Sequence, residues 1–228
     1  MASVFGEPGR RKTPGGNADA SLAGLFETSG CGWIPGPLFG LPPASPGHDG
    51  EPMTRYCAFF ASLIVGGDRL SMADLRYAFE REELENAETV ISSGNVLFEY
   101  EERPTEGLED LLSYLMRDRF DMSAYTAVRN RDEIRAAVEE NPFVGSDDAF
   151  VHTVLLERQP TKQQFGRLVG DHGSIGAERL ALGDRCLFVD FGGPMGESPL
   201  TMEFIEKRLG CRGAARNVRT LARIVTKM

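Results

Sequence analysis

The chain has 228 residues, of which 41% are hydrophobic, so it can build one or two domains with a real core. A net charge of -9 and a pI near 5.0 leave no basic footprint, which argues against broad nucleic-acid binding through neutralised phosphates. The four cysteines, Cys31, Cys57, Cys186 and Cys211, form no C-x-x-C pair and read as reduced thiols of a cytoplasmic protein, and no apolar run is long enough for a membrane span.

Residues 1–52 hold 11 of the 26 glycines and 8 of the 13 prolines, a density that predicts a disordered extension rather than helix or ladder. Within it, Trp33, Ile34, Leu38, Phe39 and Leu41 form a short apolar cluster that could serve as a docking motif. Arg10-Arg11-Lys12 is followed by no apolar stretch of the length an export signal needs, and Met53 reads as an alternative translational start.

From residue 53 the periodicity orders the elements. Arg55 to Val65 is predicted as a strand, and Ser71 to Leu84 as a helix with Ser71 and Asp74 at its start and Met72, Leu75 and Phe79 on one face. Thr89-Val90-Ile91 and Val96 to Tyr100 read as strands about the turn Ser92-Ser93-Gly94-Asn95. Leu108, Leu111, Leu112, Leu115, Met116 and Phe120 recur at three and four residues and mark a helix with an apolar stripe. A strand at Tyr125 to Arg129 leads into a helix capped by Asn130 and Glu133, which Asn141-Pro142 stops.

The second half repeats the order. Phe150 to Glu157 is a strand and Thr161 to Val169 a helix; Arg179 to Leu182 and Cys186 to Phe191 form a hairpin about Gly183-Asp184. Ser198 to Leu209 is a helix with Ser198 as N-cap and Pro199 at its first position, Arg212 to Arg216 a strand, and Val218 to Lys227 a helix. Two successive β-α-β-β-α-β strings predict an α+β fold of two ferredoxin-like units, each with an extra helix, over residues 53–146 and 147–228.

Several landmarks resemble one bacterial family, domain of unknown function 1697: Arg55-Tyr56-x-Ala58-Phe59, Val65-Gly66-Gly67, Met72-Ala73-Asp74-Leu75-Arg76, Ser93-Gly94-Asn95-Val96, Asn141-Pro142-Phe143, Leu200-Thr201 and Arg216-Asn217. The resemblance spans residues 53–228 and implies a double ferredoxin-like fold, with no established activity. The family's usual A-F-L-R-G-I-N-V-G-G stands here as residues 58–67 without its arginine and asparagine, and R-N-W-N has become Arg216-Asn217-Val218-Arg219. Such thinning of polar groups implies a weaker site, a different ligand, or a fold kept without one.

The surviving polar landmarks define a candidate ligand site: Arg55, Gly66, Gly67, Ser93, Gly94, Asn95, Arg216 and Asn217. Gly66-Gly67 before a helix could offer N–H groups to an anion, although neither dinucleotide nor P-loop spacing is present and a turn explains the pair equally well. Arg216-Asn217 could clamp a carboxylate or phosphate; alternatively Asn217 simply caps the last helix. His152 and His172 have no partner at metal-ligand spacing, Cys57 and Cys186 read as core thiols, and no cofactor motif occurs. Phe98 and Tyr100 share a face in the strand where an RNA-recognition sheet carries its aromatics, but no basic residue precedes them.

These features predict a non-catalytic binder of a small polar or anionic molecule in the cleft between the halves. The alternatives are an enzyme acting on a phosphorylated or nucleotide-like substrate, which lacks a recognisable acid–base pair, and a protein-interaction module.

Overall fold

In the computed structural model the described residues are 52–65, 68–91, 94–143 and 145–228. The expectations for residues 1–51, including the disordered extension, the Trp33 cluster and Cys31, lie outside them, as do Gly66, Gly67, Ser92 and Ser93.

The first half begins with β1 (Met53–Phe60), which the apolar run to Val65 suggested would be longer. After Phe60 the chain turns into a two-residue ladder of β2 (Ile64–Val65) and β3 (Asp68–Arg69), because the Ala61 N–H bonds to Tyr125 O and the Leu70 N–H bonds back to Leu63 O. Helix α1 (Met72–Arg81) starts as expected on Ser71, whose hydroxyl accepts the Ala73 N–H. Strand β4 (Glu85–Thr89) replaces the expected strand at Thr89 to Ile91. It is a polar edge strand with a register shift and a positive φ at Asn86, so no period-two apolar pattern marks it. Strand β5 (Asn95–Glu101), helix α2 (Thr105–Phe120), strand β6 (Thr126–Asn130) and helix α3 (Arg131–Glu139) follow. The Asn130–Glu133 capping box forms in full.

In the second half come β7 (Val151–Leu156), α4 (Lys162–His172), β8 (Arg179–Gly183), β9 (Cys186–Asp190), α5 (Met202–Leu209), β10 (Gly213–Asn217) and α6 (Val218–Val225). One expectation fails here: α5 is capped by Thr201, whose hydroxyl accepts the Phe204 N–H, and Ser198 lies outside the helix. The Ser198 hydroxyl instead donates to Glu178 and accepts the Leu200 N–H.

The sheets are ordered β4-β5-β1-β6 and β10-β7-β9-β8, and every pairing is antiparallel. This is the same ferredoxin-like topology twice, giving an α+β fold of two such units. Alternate residues of β1 explain its unbroken burial. Tyr56, Ala58 and Phe60 pack under α1 and α2 with Phe79 and Phe98, while Cys57 and Phe59 face the other way. That second face meets Leu155, Phe188 and Ala214 of the other sheet, together with Ile134 of α3 and Leu221 and Ile224 of α6. The far face of the second sheet packs Val154, Leu156 and Leu187 under α4 and α5. Both sheets lie in one compact unit and share the central apolar layer. Phe98 is fully buried against Tyr56 and Phe79, so it presents no ring for base stacking. No helix among the described residues is long and apolar enough to cross a membrane.

Candidate functional site

Three of the eight expected ligand residues converge. Arg216, at the end of β10, sends its guanidinium out of the second sheet and into the first. Nε donates to Asn95 Oδ1 at 2.6 Å, and Nη2 donates to Phe60 O at 2.8 Å and Gly94 O at 3.0 Å. Nη1 donates to its neighbour's carbonyl, Ala215 O, at 2.7 Å, and the group lies over the Phe59 ring. Asn95, 1% exposed, donates its amide N–H groups to Val90 O and Ile91 O. These side chains are therefore engaged by protein groups, and burial pushes the Arg216 guanidinium down to about 10, still protonated at neutral pH.

Of the other five, Gly66, Gly67 and Ser93 lie outside the described residues, and Arg55 and Asn217 are placed elsewhere. Arg55 pairs with Glu88 and Glu99. It stands five residues before Phe60 on β1, roughly 16 Å away at the rise of an extended strand. Asn217 caps α6 by accepting the Arg219 N–H, and its amide donates to Asp148 O at 2.7 Å and Ala149 O at 2.9 Å. It thereby ties the segment between the halves to the start of α6.

That segment shapes a cleft of about 590 Å³ between the end of α3 and α6. Its apolar wall is Val138, Phe143, Val151, Val218 and Ala222. Phe143 is held by the Arg179 guanidinium, 4.9 Å from its ring centroid, and its N–H bonds to Asn141 Oδ1 at 3.0 Å. Asn141 is 4% exposed, and its amide nitrogen is buried without an acceptor among the described residues. A buried amide donor without a partner costs about 1–3 kcal/mol, so this nitrogen stands to gain from a hydrogen-bond acceptor. Two arginines of α6 line the cleft. Arg219 is engaged by Asp147 at 3.3 Å and Asp148 at 3.8 Å, whereas Arg223 has no acidic partner among the described residues.

Asn141 and Arg223 were not expected as site residues. Asn141 carries a visible function as the stop of α3 before Pro142, which conceals its amide, and Arg223 looks like any exposed helix cation. The signal that could have found the region is its position between the halves' extra helices, α3 and α6, which pack on each other.

Elsewhere, His172 Nε2 lies 3.1 Å from Glu178 Oε2 in a buried pair, beside a smaller cleft of about 420 Å³ that Glu178, Arg179 and Asp190 help to line. Burial pushes both carboxyls up, but hydrogen bonds outweigh it, from Ser198 at Glu178 and from Arg179 at Asp190, and hold both below the usual carboxylate range. No group of three metal-ligating side chains occurs among the described residues. Burial raises the Cys57 and Cys186 thiols, which are core residues as expected and poor nucleophiles.

The family described as "Protein of unknown function (DUF1697)" matches residues 53–188. The fold is similar to that of the conserved bacterial protein SP0830 from Streptococcus pneumoniae, with a TM-score of 0.52 and 20% identity over 77% of this chain and 98% of that one. No curated protein matches the chain.

Proposed function

The chain belongs to the DUF1697 family of proteins of unknown function, and from that premise we propose that it is a non-catalytic, cytoplasmic binder of a small anionic molecule. The site we assign is the cleft between its halves, residues 53–146 and 147–228, where α3 and the connecting segment face α6. The observation that carries the reading is the buried Asn141 amide, which has no acceptor among the described residues and stands in a cleft with apolar walls and an arginine, Arg223, that has no acidic partner among them. A ligand oxygen that accepts from Asn141 would recover most of what its desolvation costs. The volume lies within the range of small-molecule sites, roughly 300–1,000 Å³. Free, buried thiols at Cys57, Cys186 and Cys211 fit a reducing compartment.

Native mass spectrometry of freshly purified full-length protein tests the reading. A retained small molecule, lost in Val218→Trp, is the expected result, because the larger ring would fill the cleft. An adduct that survives Val218→Trp would move the site elsewhere. No adduct, together with no thermal stabilisation by any member of a small-anion library, would remove the basis for a binding role.

A further inference from the structure

We infer that the ligand of this cleft is a monocarboxylate with an apolar body; the inference rests on the binding role proposed above. Three properties of the cleft select that class. The first is charge. Arg219 is already matched by Asp147 and Asp148, and Asp148 itself lines the cleft. Arg223 is then the one cation of the lining whose charge is unmatched among the described residues. One negative charge on a ligand can pair directly with Arg223, while the two carboxylates about Arg219 leave no positive charge for a second. Phosphate monoesters and nucleotides, which carry about two or more charges at neutral pH, are disfavoured on that ground.

The second property is shape of charge. A guanidinium presents parallel N–H donors that match the two oxygens of a carboxylate, and Arg223 lies on α6 one turn beyond Arg219, so its fork can serve the cleft mouth without breaking an existing pair. The third is the wall. Val138 and Phe143 come from the first half and the connecting segment, and Val151, Val218 and Ala222 come from the second. A purely polar anion would leave this surface wet, whereas an aryl or alkyl body covers it and gains roughly 25 cal/mol for each Å² removed from water. Asn141 adds a neutral donor beside that wall, suited to an oxygen of the acid or of its body.

A ligand seated this way touches α3 and α6 together. It therefore braces the two halves against each other, and its binding raises the thermal midpoint of the whole unit.

The test uses full-length protein and three probes of one shape: 3-phenylpropionate, 3-phenylpropanol and 2-phenylethyl phosphate, measured by calorimetric titration and thermal unfolding at neutral pH. The carboxylate is expected to bind at least about tenfold more tightly than the alcohol or the phosphate, since a charge-assisted pair contributes a factor of about ten or more. Arg223→Gln should bring the carboxylate down to the affinity of the alcohol, and Arg219→Gln should have a smaller effect because its charge is already matched. Val218→Trp should abolish binding of all three.

Tighter binding of the phosphate, or undiminished carboxylate binding by Arg223→Gln, would overturn the monocarboxylate assignment and leave the cleft as a binding site. Failure of all three probes with the unaltered protein would also overturn it. The binding role itself is decided separately, by whether native mass spectrometry finds a retained molecule that Val218→Trp loses.

Discussion

Arg129 and Arg216 occupy equivalent places in the two halves and reach across to equivalent carbonyls. Arg129 Nη2 donates to Leu156 O, the last residue of β7, and to Arg185 O, just before β9. Arg216 Nη2 donates to Phe60 O, the last residue of β1, and to Gly94 O, just before β5. Each arginine also donates Nη1 to the preceding carbonyl, and each precedes an asparagine that caps the extra helix. The halves therefore lock each other through two matching struts. They differ in charge: Arg129 meets the buried carboxylate of Glu109 at 2.5 Å, whereas the oxygens that hold Arg216 among the described residues are all neutral.

Replacing either strut should destabilise the protein, for different reasons. Arg216→Ala leaves three buried oxygens of the first half without this donor, while Arg129→Ala strands much of the Glu109 charge, for which losses of about 3–5 kcal/mol are typical. Arg216→Lys should recover little, because one ammonium cannot reproduce the fork that spans Phe60 O, Gly94 O and Asn95. Urea unfolding at neutral pH measures all three. Full stability in Arg216→Lys would show that charge rather than geometry holds the strut.

Cys57 belongs to the first sheet and Cys186 to the second, yet both lie in the one apolar layer between the sheets. Burial pushes Cys57 far up and Cys186 up to about 12, so neither thiol should react in the native protein at neutral pH. Across a urea series, peptide-mapped thiol labelling should expose both in a single transition. Leu155→Ala, which opens a cavity in the shared layer, should shift both midpoints together by an amount equivalent to about 2–5 kcal/mol. Separate midpoints for the two cysteines would mean that the halves unfold independently.

What the sequence makes legible is mostly local. Asn130 and Glu133 are three residues apart, and their capping box forms as read; the apolar stripe of α2 likewise needs only its own period. The double β-α-β-β-α-β order follows from such signals, and so does the fold. Strand β4 escaped because Glu85, Asn86 and Glu88 alternate nothing apolar at a sheet edge, and Ser198 misled because Thr201 also supplies a capping hydroxyl three residues later. The site was less legible because its chemistry depends on where long side chains end. Arg216 reads equally well as a clamp for a ligand or a strut between sheets until Phe60 O and Gly94 O are placed beside it. The repeated Arg-Asn at 129–130 and 216–217 was the visible sign that the dipeptide belongs to the architecture.

Acid should erode stability partly through Glu157. Its carboxylate accepts from Arg212 Nη2 at 2.7 Å and from the Arg212 N–H at 3.3 Å, which joins the exit of β7 to the entry of β10. The Arg212 hydrogen bond, against an opposing effect of burial, holds Glu157 below its ordinary value of 4.5. A carboxyl depressed in the folded state contributes stability that is present above the unfolded value and lost as pH falls through the folded one. Urea midpoints taken from about pH 6 down to about pH 3 should therefore fall more gently in Glu157→Gln than in the unaltered protein. Parallel curves would assign the acid limb to other carboxylates, such as Asp190.

Gly176 makes room for the buried His172–Glu178 pair. The turn after α4 is closed by the Ile175 and Gly176 N–H groups on His172 O, and a β-carbon at Gly176 would collide with Glu178 Oε2 and His172 Cε1. The obstruction is a matter of space, since Gly176 does not need a positive φ. Gly176→Ala should thus cost about 1–3 kcal/mol, as overpacking does, by pushing the carboxylate off the imidazole. In a His172→Ala background part of the obstruction and the pair itself are already gone, so the same substitution should cost less by at least about 0.5 kcal/mol. A double-mutant cycle in urea reads the coupling directly, and strict additivity of the two substitutions would show that Gly176 does not act through the pair.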